Sequence, residues 1–116
     1  MTYLDALKSA IDYWNIGPIQ DEWYFEKFRK EYIENMSQAE AFSSVDDTVP
    51  FLIEETDEST ACEILQTLLN LSKRAETTQL PERLSAEMDH IDNKFEGFGE
   101  YARSKLLELK GYYRLS

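Results

Sequence analysis

"TDESTACEILQTLLNLSKR", residues 56–74, decides the fold. Ala61, Ile64, Leu65, Leu68 and Leu71 recur at the three- and four-residue steps of one helix face. Leu69 and Cys62 widen that face beyond a narrow stripe, so this helix is expected to be covered on several sides and central to the domain. Thr60 followed by Glu63 has capping-box spacing, and "TDEST" just upstream turns the chain. Before that turn, "DTVPFLIEE" at 47–55 predicts a short helix of about two turns. Thr48 is its expected cap, and Pro50 suits its first turn, where a missing N–H costs nothing.

Helical spacing also governs the chain on either side. Thr2 caps a first helix whose buried stripe is Tyr3, Leu7, Ala10 and Trp14, widened by Leu4 and Ile11, until Gly17 and Pro18 end it. A second helix is expected from about Asp21 to Met36, with Phe25, Phe28, Tyr32 and Met36 inward. Asp21 and Glu22 fall in its first turn, where the helix dipole favours acids. Trp23 does not join that stripe: its neighbours at helical spacing are Glu26, Lys27 and Lys30, so it is expected to project from the polar side.

After a polar loop at 73–79, Pro81 opens a helix with Leu80, Leu84, Met88, Ile91 and Phe95 along its seam. Ala102, Leu106, Leu109 and Tyr113 continue in phase, so one helix over 81–113 and two helices parted at "GFG", 97–99, both fit. The two glycines cost about 2 kcal/mol relative to alanine and favour a break. No segment alternates with period two. The expected class is all-α, a single domain over residues 1–116 of five or six helices in antiparallel or HEAT-like pairs.

The charge is as uneven as the apolar pattern is regular. The 116 residues carry a net charge of −11. Residues 1–58 hold 14 acids and 4 bases, residues 59–116 hold 9 and 8, and between Lys30 and Lys73 there are ten acids and no base. Such a field repels nucleic acid and anionic lipid and favours a cationic protein as partner. Solubility alone is served by mixed charges, which the chain uses freely after residue 73. No stretch approaches the roughly 20 apolar residues of a membrane span, and no basic-then-apolar leader opens the chain. One cysteine, within an apolar pattern, excludes an intramolecular disulfide and predicts a reduced, buried thiol. A cytoplasmic location is expected.

Motifs for catalysis are missing. His90 and Glu87 have the i, i+3 spacing that di-iron bundles use, but those bundles need the motif twice, and it occurs once. The acids from Asp46 onward fail the calcium-loop pattern, because "VPFLI" occupies the ligand positions. Adjacent acids such as Glu54 and Glu55 point about 100° apart on a helix and do not face one substrate. There is no phosphate-cradling glycine loop and no nucleophile elbow. The expectation is a protein that is not an enzyme and uses no metal or cofactor.

"DTVPFLIEETDESTACEILQTLLNLSK", residues 47–73, resembles the small, acidic, mostly helical immunity proteins of bacterial toxin systems. Some of those carry HEAT-like pairs in which a proline-started helix, an acidic turn and a leucine-rich helix recur. The resemblance, together with size and charge, implies a partner class: a basic, nuclease-type toxin whose substrate groove an acidic face would cover. Asp46, Asp47, Glu54, Glu55, Asp57, Glu58 and Glu63 are the candidate docking acids, and Trp23 the candidate anchor, since interfaces concentrate their energy in such aromatics. The alternative is a helical adaptor or oligomerising scaffold that works through its aromatic surface. The oligomeric state is left open by the residues.

Overall fold

A computed structural model describes residues 2–16 and 23–115, and among them every regular element is helical. In chain order these are α1 (Tyr3–Ile16), α2 (Tyr24–Ile33), α3 (Gln38–Glu54), α4 (Glu58–Ala75), α5 (Glu82–Glu96) and α6 (Glu100–Tyr112). They form three hairpins, α1 with α2, α3 with α4 and α5 with α6. The hairpins stack side by side, so that α3 packs on α1 and α5 while α4 packs on α2 and α6. Odd-numbered helices therefore make one layer and even-numbered helices the other. Two layers of helices, each about 10 Å across, account for overall dimensions of 39 × 34 × 19 Å. This is consistent with the antiparallel or HEAT-like pairing expected from the sequence.

The centre of the stack is α4. It touches α3, α2, α6 and α1, and Ile64, Leu65, Leu68, Leu69 and Leu71 are fully enclosed. So wide a buried face also takes in polar groups, which are satisfied locally. Thr67 donates to the Glu63 carbonyl and Ser72 to the Leu68 carbonyl, each at 2.8 Å. The Tyr113 hydroxyl donates in turn to Ser72 Oγ, tying the end of α6 to the centre. Burial pushes the Tyr113 hydroxyl above its ordinary pKa, and does the same to Tyr3, which bonds Thr48 Oγ1 at 2.8 Å.

Several local expectations are corrected. The short helix capped by Thr48 is the second half of a longer one. α3 begins after Ser37, whose Oγ accepts from Glu40 N–H at 3.1 Å and donates to the Glu40 carboxylate at 3.2 Å. Pro50 lies well inside α3, and Thr48 is buried, donating to the Ser44 carbonyl at 2.7 Å. A proline inside a helix costs about 3 kcal/mol or more, and burial of Ala41, Val45, Val49 and Leu52 along one face of α3 offsets it. The N-cap of α4 is Asp57, not Thr60: its carboxylate accepts from Thr60 N–H at 2.9 Å. α2 ends at Ile33, short of the expected Met36, which is nonetheless buried just after it; within α2 the inward positions are Phe25, Phe28, Arg29 and Ile33, and Tyr32 is half-buried. Cys62 is half-buried rather than enclosed. α4 continues to Ala75, so the loop after it is shorter than the predicted 73–79. Asp21, Glu22, Gly17 and Pro18 lie outside the described residues.

The stretch 81–113 is two helices, parted at Gly97–Gly99. Gly99 is needed for more than a break. Its N–H donates to Glu58 Oε1 at 3.2 Å, and a Cβ there would sit 3.3 Å from Glu58 Oε2. The carboxylate at the head of α4 thus approaches the head of α6 over a residue with no side chain.

Candidate functional site

The seven candidate acids divide by what their carboxylates touch. Asp46 spans two hairpins: Oδ2 accepts from Arg83 N–H and Oδ1 from Leu84 N–H, both at 3.1 Å. It thereby caps α5, whose own N-cap residue, Pro81, offers no side-chain bond. Asp57 caps α4, and Glu58 serves the start of α6 through Gly99. Glu55 closes the turn between α3 and α4, accepting from Thr56 N–H at 3.1 Å and Asp57 N–H at 3.0 Å. Glu63 pairs with Arg29 of α2 at 3.4 Å. Among the described residues, Asp47 and Glu54 have no such partner.

The base-free stretch is therefore held largely by helix N-termini. Unpaired N–H groups there carry partial positive charge, about half an elementary charge per helix, and accept carboxylates as lysines would. Asp46 and Asp47 consequently differ in what they do for the fold. Asp46→Ala is expected to lower the unfolding free energy by about 1–2 kcal/mol, whereas Asp47→Ala stays within about 0.5 kcal/mol. Urea titrations of the two variants check this, and equal losses would contradict the capping role.

Layering redistributes the charge in a way the linear sequence conceals. α1, α3 and α5 carry net charges of −1, −4 and −3, while α2, α4 and α6 carry +1, 0 and +1. The odd layer is thus strongly acidic and the even layer weakly basic. On the odd layer two hollows open between α3 and α5. One, of about 280 Å³, has Val49, Pro50 and Ile53 with Glu54, Glu87 and His90 around it. The other, of about 450 Å³, brings Asp46 and Asp47 together with Glu82 and Glu87, and Arg83 borders both. Asp46, Asp47 and Glu54 are therefore gathered on one surface. Glu82 and Glu87 join them from α5, and no sequence signal marks these two until α3 and α5 are known to be neighbours.

The remaining acids lie elsewhere. Glu55 and Asp57 are in the α3–α4 turn. Glu58 and Glu63 line a hollow of about 710 Å³ on the even layer, with Arg29, Cys62, Gln66 and Lys105. There the charges alternate in sign, and Lys105 Nζ donates to Gln66 Oε1 at 2.8 Å. Burial, and then the carboxylates of Glu58 and Glu63, push the Cys62 thiol up, which keeps it protonated and a poor nucleophile. His90, the only histidine, borders the crevice on the opposite layer, where Nδ1 lies 3.2 Å from Glu87 Oε2. No thiol–imidazole pair is formed. Among the described residues no three His, Cys, Asp or Glu side chains gather to hold a metal ion, and no helix is long and apolar enough to cross a membrane.

Trp23 precedes α2 and is 56% exposed, as its polar neighbours in sequence implied. It is not among the residues lining the α3–α5 hollows. Comparison of the chain with protein-family models, with curated proteins and with solved structures gives no match to any of them.

Proposed function

We propose that this chain is a non-catalytic binding protein whose odd-helix layer docks onto a cationic protein. In the finer reading it is an immunity-type inhibitor, covering the substrate groove of a basic, nuclease-type bacterial toxin. One observation carries the proposal: the negative charge collects on α1, α3 and α5, while α2, α4 and α6 are near neutral. A nuclease groove must be cationic to hold phosphates, so a surface of spaced carboxylates competes with the substrate on the same terms. Asp47, Glu54, Glu82 and Glu87 are the groups best placed to contact the partner, and Asp46, Glu55 and Asp57, engaged in a cap or a turn, add to the field that steers it, whereas Glu58 and Glu63 belong to the opposite layer. Trp23, exposed at the start of α2, is the candidate aromatic anchor at the edge of the contact.

Size allows this. A stable contact takes about 800 Å² from each partner, and a slab face of 39 × 34 Å has room for it. Steering acts mainly on the association rate and is screened by salt.

The test is binding to the protein encoded immediately upstream of this chain. The expected result is a one-to-one complex whose association rate falls steeply with salt and in which the partner's nuclease activity is lost. A salt-independent rate would remove the acidic layer from the account. A complex that leaves activity intact would remove the inhibitor reading in favour of an adaptor.

A further inference from the structure

The smaller hollow between α3 and α5 combines aliphatic side chains with two carboxylates. Its aliphatic lining comes from Val49, Pro50 and Ile53 of α3, of which Val49 is fully buried. Glu54 borders it from α3 and Glu87 from α5. Its volume, about 280 Å³, is below the 300–1,000 Å³ or so of sites for small molecules and cofactors, and suits one long side chain.

Resting on the docking reading above, we propose that this hollow receives an arginine side chain of the cationic partner. Arginine combines an aliphatic stem with a planar fork of five donors. The stem lies along Pro50 and Ile53, and the fork meets the carboxylates of Glu54 and Glu87. Lysine brings equal charge but a compact, strongly hydrated head that cannot bridge two carboxylates in a fixed geometry. Arg83, the one base bordering the hollow, has no ion pair among the described residues, so it opposes an incoming cation without being tied down. His90, beside Glu87, adds to that opposition when protonated.

Hexa-arginine and hexa-lysine peptides are the probes, followed by amide chemical shifts and calorimetry at low salt. The arginine peptide is expected to bind several-fold tighter and to shift signals in 49–54 and 83–90 selectively. Glu54→Gln with Glu87→Gln should abolish the difference between the peptides, and Arg83→Gln should strengthen both. Folding of each variant is checked by its helical circular dichroism. Equal affinities with shifts spread over α1, α3 and α5 would overturn the arginine site and leave the acidic layer as a docking surface. Binding of neither peptide would overturn both.

Discussion

Leu68→Ala is expected to lower the unfolding free energy by about 2–5 kcal/mol, and with it the melting temperature by roughly 10 °C or more. Leu107→Ala, which removes the same atoms from a helix of the same chain, is expected to change stability by no more than about 0.5 kcal/mol. The difference is one of surroundings. Leu68 is fully enclosed on α4, where helices from both layers meet, and truncation there leaves a cavity that a close-packed interior cannot collapse. Leu107 is 67% exposed on α6. Thermal melts of the two variants read the contrast directly, and similar losses would mean that α4 is not the element around which the hairpins stack.

That α4 is central was legible because its apolar face is too wide for a helix lying on a surface. The same logic located the stripes of α5 and α6 and that of α1 except for Leu4, which is exposed, while Ala6 is buried in its stead. It failed at α3 for a physical reason. The buried face of α3 includes Ser44 and Thr48, the latter donating its hydroxyl to the Ser44 carbonyl, and Ala41, which contributes little hydrophobicity. The periodic signal is diluted, and Pro50 then resembles a beginning. Asp57 is masked as a cap in the sequence because Thr60 and Glu63 imitate the motif three residues later. A capping pattern names a chemistry that several nearby side chains can perform, and backbone geometry chooses among them.

The candidate site was legible in kind and not in place. An excess of acids over residues 31–72 is visible in the sequence, but linear proximity is a poor guide to which acids share a face. Glu54 and Glu58 are four residues apart, yet Glu54 borders the α3–α5 crevice on one layer and Glu58 the hollow on the other. Glu87 is far along the chain from Glu54 and borders the same crevice. In a stack of hairpins every turn carries the chain from one layer to the other, so charge alternates between faces helix by helix. The asymmetry between the layers emerges only when α1, α3 and α5 are taken together.

Two charge-reversal triples with equal net charge separate that asymmetry from the overall charge of −11. Asp47→Lys, Glu54→Lys and Glu87→Lys act on the odd layer; Glu26→Lys, Glu31→Lys and Glu108→Lys act on the even one. Against a cationic partner that docks on the odd layer, the first triple is expected to slow association by about ten- to a thousandfold. The second is expected to do far less at physiological ionic strength. The reason is the thickness of the slab. At about 0.15 M salt the screening length is about 8 Å, and the molecule is 19 Å thick, so the far layer sits beyond two screening lengths from the contact. Near 0.01 M the screening length grows to about 30 Å, and both layers are then felt. The ratio between the two triples should therefore widen as salt rises towards physiological, while both absolute effects shrink. Equal slowing by both triples at physiological salt would mean that the partner responds to the charge of the whole molecule and that no face of the stack is distinguished by it.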